Sequence, residues 1–410
     1  MASLIESPLA LPLRNSNYGI YSLGNAISLI GTWMQRISVG WLTWELTHSG
    51  LWLGVVAFAD FFPVLVVGPV AGAAADRWDR LRVVKTSQTI SLVQAAVLFV
   101  LTASGHINIW LLVALTTFQG MVVAFNQPAR LALVPSLVGQ ADLAAAVAIS
   151  SVIFNLARFV GPMLAGLVIV WQGVPAAFAA NALTYLVFLF ALMRVCLVSG
   201  ASKPTKKRSF KADFEEGLGY TARHPAIASM LMLLIAIGIG VRPLNELLPG
   251  LASEVFRSGA GGLSIFVSAT GAGAIMAGLW LGHSGHKSNL TSVALGASFI
   301  SALAAMVVST VTSMWIAVPA IAVFGFCVSS AGTAIQTLVQ LASDQRMRGR
   351  VMGLYGLVFR GAPAIGALAV GLASARLGLQ WPIVIGAGVV MIVCLWTYSK
   401  RGQITAALPM

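Results

Sequence analysis

The chain has 410 residues, 58% hydrophobic and only 9% charged, with 25 Lys or Arg against 12 Asp or Glu. An ordinary soluble domain carries about a quarter charged residues. A mean hydropathy of +0.89 therefore excludes a soluble enzyme, a disordered chain and, despite the net charge of +13, a nucleic-acid binder.

The first residues, 1–17, hold one cation and no apolar run ending in small residues, so they read as a cytoplasmic tail rather than a cleaved signal peptide. Apolar helical runs follow near 18–46, 51–75, 83–104, 107–133, 142–171 and 175–197, making an N-terminal six-helix bundle over 18–199. A polar interval, 200–225, carries five Lys/Arg from Lys203 to Lys211 beside Asp213, Glu215 and Glu216, a solvated linker that includes a short amphipathic helix. Six more runs lie near 226–252, 261–282, 288–311, 313–341, 349–375 and 380–399, a C-terminal bundle over 226–400 followed by a tail, 401–410. The stretches Thr86 to Ala129 and Ser288 to Ser343 contain no Asp, Glu, Lys or Arg; each suffices for two crossings of about 20 residues. The predicted fold is all-α, with twelve transmembrane helices in two pseudo-symmetric bundles.

Orientation follows from the cations. Nineteen Lys/Arg fall on the side of the termini and linker, two (Arg257 and Arg376) on the other, and four inside the spans: Arg36, Arg158, Arg242 and Arg360. Both termini are thus expected in the cytoplasm of an inner-membrane protein. A weak internal repeat at a shift of about 206 sets Ala71-Gly72 on Ala277-Gly278 and Phe118 on Phe324, and the pairs Arg158/Pro162 and Arg360/Pro363 mark spans 5 and 11 as equivalents. Such repeats put a substrate site between two halves near the midplane.

The run Gly72-Ala-Ala-Ala-Asp76-Arg77-Trp-Asp-Arg80 between spans 2 and 3 resembles the loop motif of the major facilitator superfamily. Chemically, Gly72 would let helices approach closely, and Asp76 would face a helix N-terminus or an arginine such as Arg130. Gln127-Pro-Ala-Arg130, Asn155-Leu-Ala-Arg158-Phe-Val-Gly161-Pro162, Glu216-Gly217 through Arg223-His-Pro225, and Arg348-Gly-Arg350-Val-Met into Phe359-Arg360-Gly361 are similar to its enterobactin-exporter-like and macrolide-efflux-like branch. That branch often has an acid in span 1 where this chain reads Gly31-Thr32-Trp33.

Polar residues inside spans form stripes. Span 1 carries Asn25, Ser28, Thr32 and Gln35/Arg36; span 4, Gln119, Asn126 and Arg130; span 7, Arg242 and Asn245/Glu246; span 10, Ser329, Thr333, Gln336 and Gln340. The superfamily resemblance implies that these four helices line a substrate cavity; packing glue between helices is the alternative. Charges in hydrocarbon cost at least a few kcal/mol. Arg36 and Asp60 lie about 15 and 14 Å below the outer surface at a rise of 1.5 Å per residue, so they are expected to pair. Arg242 and Glu246, four apart, are expected to share a helix face. Asp60 and Glu246 are the candidate proton carriers. Arg158 and Arg360 either brace proline-kinked helices or meet substrate, and four interior arginines against two acids favour an anionic or electron-rich solute.

No lysine follows a glycine, so no phosphate-cradling loop exists. Neither His-Glu-x-x-His nor Gly-x-Ser-x-Gly occurs, which argues against an intramembrane hydrolase. His283 and His286 lack accompanying acids or thiols, and Cys196, Cys327 and Cys394 lie in apolar runs, so no metal or other cofactor is expected. Trp44, Trp52, Trp110, Trp171 and Trp381 read as interfacial anchors. The expected function is a monomeric, proton-coupled secondary exporter of an amphipathic, anionic or electron-rich solute, siderophore-like or drug-like, working by alternating access, with a lipid or lysolipid flippase or an importer as the alternative. Its partners are then a small-molecule substrate, protons and the lipid bilayer, with no nucleic acid.

Overall fold

In the computed structural model the described residues are 16–75, 78–139, 142–195, 210–284 and 289–406. All regular elements among them are helical. The first six predicted spans become α1 (Ser16–Thr47), α2 (Gly50–Ala75), α3 (Arg80–Ala103), α4 (Ile109–Leu133), α5 (Leu143–Gln172) and α6 (Val174–Arg194). The linker contributes α7 (Phe210–Arg223). The seventh span is broken: α8 (Pro225–Gly240), a turn over 241–243, α9 (Leu244–Gly250) and a π-helical turn, Leu251–Val255. Then come α10 (Gly259–Ser284), α11 (Leu290–Thr310), α12 (Met314–Ala342), α13 (Arg348–Leu377), α14 (Trp381–Ser399) and the short α15 (Arg401–Ala406).

Eleven segments among the described residues are long and apolar enough to cross a membrane, the broken Pro225–Val255 stretch counting as one. The exception among the predicted twelve is α1, which has 32 residues. Its length is ample, but Asn25, Ser28, Thr32, Gln35 and Arg36 lower its hydropathy. The tryptophan expectation needs one correction. Trp110, Trp171 and Trp381 are exposed, whereas Trp44 is 2% exposed and serves as core.

The chain divides into two compact units, Met1–Leu46 with Phe62–Lys206, and Thr47–Phe61 with Lys207–Met410. The opening turns of α2 go with the second unit because Gly50 and Gly54 lie flush on α13. A Cβ on Gly371 of α13 would sit 2.9 Å from the Gly50 carbonyl oxygen and 3.0 Å from the Gly54 Cα. Small residues at such crossings let backbones meet where lipid offers no hydrophobic drive. By contrast, a Cβ on Gly72 would meet no described residue within 4 Å, and the close approach is found instead at Gly50 and Gly54.

In the first unit, Gly24 and Gly31 of α1 press on α6, where a Cβ would run into Phe188 and Ala191 or Asn181 and Thr184. The Tyr18 hydroxyl donates to the Ala146 carbonyl at 2.7 Å, tying α1 to α5. In the second unit, Gly238 and Gly240 of α8 abut α13 and α14 at Ala362 and Gly386.

The duplication shows in matching elements. Helices α2 and α10 each have 26 residues, and α5 and α13 each have 30, capped by Gly173 (φ 79°) and Gly378 (φ 74°). Among the described residues, His48 and Arg257, each just before a Ser-Gly, are the two non-glycine residues at positive φ, 46° and 49°. His48 and Arg257, like the starts of α2 and α10, fall 209 residues apart, whereas the starts of α5 and α13 and their capping glycines fall 205 apart. The shift of about 206 suggested by Ala71-Gly72 lies between these two offsets.

Candidate functional site

The predicted stripe on α1 is real, but it faces its own bundle. Ser28 donates to the Gln88 side chain at 3.4 Å, Thr32 and Tyr185 share a bond of 3.2 Å, and Gln35 both donates to Gln94 (3.0 Å) and accepts from Asn181 (2.7 Å). Gln94 continues to the Leu115 carbonyl at 3.3 Å. Gln35 is only 6% exposed. These residues act as bonds to α3 and α6, the packing alternative that the sequence left open. On α4, Gln119 donates to Ser91 at 3.1 Å. The Asn25, Gln119 and Asn126 side-chain carbonyls are buried without a hydrogen-bond partner among the described residues. The α12 stripe differs: Ser329 is half-buried, and Thr333, Gln336 and Gln340 are exposed.

The neighbouring face of α1 carries a tighter constellation. Arg36 and Arg158 each hold their guanidinium carbon 5.7 Å from the centre of the Trp33 indole. The cause is local. Phe154, Arg158 and Gly161 form one stripe of α5, and a Cβ on Gly161 would lie 2.6 Å from Trp33 Cβ and 2.8 Å from the Ile30 carbonyl oxygen. Glycine thus brings α5 onto α1 and sets Arg158, one turn away, beside the indole. Phe154 meets the same ring edge-on at 6.0 Å and 73°. Trp33 is a residue that sequence reasoning missed; its place three residues before Arg36 is the signal that was available.

In the second unit, Arg242 donates from Nη1 to the Phe359 carbonyl at 3.0 Å, its guanidinium carbon 4.5 Å from that ring's centre. Phe359 stacks on Tyr355 at 5.8 Å, and the Tyr355 hydroxyl donates to the Gly332 carbonyl at 3.2 Å. The Phe359 carbonyl is available because its helical partner four residues on is Pro363, which has no N–H. Arg242 supplies the missing donor. Expected to share an unbroken helix with Glu246, Arg242 instead sits in the turn over 241–243, with Glu246 in the first turn of α9. Pro243 is the reason, since the residue before a proline resists the α conformation. Asn245 donates back to the Arg242 carbonyl at 3.4 Å.

The supposed equivalence of Arg158 and Arg360 also needs correction. Arg158 stands four residues before Pro162 and Arg360 three before Pro363, a difference of about 100° around a helix. Arg158 accordingly turns to Trp33, while Arg360 is exposed. Arg36 belongs to the first unit and Asp60 to the second.

Of the loop motif, Asp76 and Arg77 lie outside the described residues. Arg80 donates to the Ala132 carbonyl at 3.1 Å, satisfying the last turn of α4 beside Arg130. Asp79, which sequence reasoning passed over, caps α3 by accepting from the Arg82 amide at 2.8 Å.

A family model described as "Transmembrane secretion effector" matches residues 6–407. The staphyloferrin A transporter of Staphylococcus aureus is 25% identical, covering 91% of this chain and 93% of that protein. Macrolide efflux protein A of Streptococcus pyogenes is 22% identical over 91% and 92%. The enterobactin exporter EntS of Salmonella typhimurium is 25% identical over 85% and 83%. A bacterial homologue of the human lysosomal transporter Spinster shares the fold, with a TM-score of 0.77 at 13% identity over 97% of this chain and 99% of that one. These relatives are transporters rather than enzymes, and the chain is a multi-pass membrane protein that belongs to the transmembrane secretion effector family of the major facilitator superfamily.

Proposed function

We propose that this chain is a proton-coupled exporter of an amphipathic organic solute, siderophore-like or drug-like, working by alternating access as a monomer in the inner membrane. In this reading α1 supplies a twelfth crossing, its polar groups bonded to α3 and α6 rather than left in lipid, and both termini are cytoplasmic, as the distribution of cations requires. The observation that carries it is the break over 241–243 inside one apolar segment, Pro225–Val255, with Arg242 in the break and Glu246 three residues beyond it. Discontinuous membrane helices accompany substrate and ion sites in transporters, and interior charges cost about 2.5–3.5 kcal/mol each, so they are functional candidates by default.

Asp60 and Glu246 carry the proton in this reading. The names of the staphyloferrin A and macrolide efflux relatives favour export of such solutes. The test is accumulation of siderophores, antibiotics and lysolipids in cells with and without the gene, followed by pH-gradient-driven flux of the responding solute in vesicles. A solute that accumulates on deletion and moves against proton entry supports the reading. Lysolipid movement independent of a proton gradient contradicts it.

A further inference from the structure

We propose that Trp33 and Arg158 form a recognition subsite for a planar organic anion, an aromatic carboxylate whose charge pairs with Arg158 and whose flat face lies on the indole. The proposal names the solute class for the exporter reading above and rests on it for biological meaning, though not for its test. Two units of one duplicated fold use arginine beside an aromatic ring, and they differ in what the guanidinium finds. In the second unit Arg242 has the proline-freed Phe359 carbonyl at 3.0 Å. In the first, the carbonyl freed by the proline is that of Arg158 itself. Among the described residues, Arg158 makes neither a hydrogen bond nor an ion pair; its contact is the indole at 5.7 Å.

Arginine stays protonated in proteins, and Arg36 adds a second positive charge beside the same ring. A guanidinium in a span without an acceptor calls for an anion, and its planar fork matches a carboxylate through two parallel hydrogen bonds. Aromatic surface is already gathered there, since Phe154 lies against Trp33 at 6.0 Å. Trp33 and Arg158 each keep part of their surface exposed.

The probes are 2-naphthoate, 2-naphthamide and 2-naphthylmethylammonium, equal in aromatic area and different in charge. Equilibrium dialysis against the purified full chain should show naphthoate binding about tenfold tighter than the amide, and the cation weakest. Arg158→Gln should bring naphthoate to within about twofold of the amide, and Trp33→Leu should weaken both acid and amide, as loss of a stacking surface requires. Arg376→Gln, a surface control, should leave the order intact. With 5-fluorotryptophan incorporated, the fluorine signal that disappears in Trp33→Phe should shift with naphthoate in the unmutated chain, a readout that survives if Arg158→Gln does not fold. Equal binding of acid and amide, or a naphthoate preference that survives Arg158→Gln, would overturn the subsite. A chain that keeps the preference yet moves no solute would leave the subsite standing and sink the exporter reading alone.

Discussion

The two units treat their interior charge in opposite ways. The first holds Arg36 and Arg158 around one indole with no acid well inside its spans, while the second holds Arg242 and Arg360 together with Asp60 and Glu246. In the second unit a proline removes a backbone donor and an arginine from the turn between α8 and α9 replaces it, so the charge is part of the scaffold. In the first, glycine-driven packing sets an arginine against a ring without giving it a hydrogen bond. The same residue type therefore braces one half and, in our reading, faces solute in the other. Arginine in a span marks a site only after its acceptors have been counted.

The largest expected effect concerns the acids gathered in the second unit. Asp60→Asn together with Glu246→Gln should reduce pH-gradient-driven flux to background, and at least one single change should do nearly the same. Full flux in the double variant would remove the proton role from this unit. Next comes the brace. Arg242→Met should destabilise the purified chain by about 1.5–3 kcal/mol, the range for a hydrogen bond from a charged donor. In a Pro363→Ala background, which restores a helical N–H to the Phe359 carbonyl, the same change should cost much less; thermal unfolding of the four chains measures the coupling. Gly161→Ala would press a methyl into Trp33 and Ile30 and should cost about 1–3 kcal/mol, with a larger loss of naphthoate binding than of stability. The smallest effect is expected at Glu216, which accepts from Arg350 at 2.8 Å with side chains 57% and 14% exposed. Glu216→Ala should change stability by at most about 1 kcal/mol, as exposed ion pairs do.

Much of this fold was legible in the sequence because the bilayer imposes length and apolarity on every crossing. The bounds of α2 and α4 to α6 lie within three residues of expectation, and those of α10 to α14 within two. The break at Val241–Pro243 was missed because hydropathy stays high across it, although Gly238, Gly240 and the Arg242-Pro243 step were there to be read. The α1 stripe was found by its period, yet periodicity does not say which neighbour a face meets; Gly24 and Gly31 turn it toward α6. Trp33 escaped notice because its partner, Arg158, is 125 residues away and arrives only through the Gly161 contact. Arg158 and Arg360 each precede a helix proline but do not share a helix face relative to it. Four residues separate Arg158 from Pro162 and three separate Arg360 from Pro363, a difference written in the sequence itself.

The claim that arginine is scaffold in the second unit and solute-facing in the first is tested most directly by one comparison: thermal unfolding of purified Arg242→Met and Arg158→Met beside the unaltered chain, without ligand. Arg242→Met should unfold at a clearly lower temperature, because it strands the Phe359 carbonyl. Arg158→Met should unfold at the same temperature or a higher one, because it removes a charge that has no protein acceptor. A chain in which Arg158→Met is the more destabilised of the two would contradict the account.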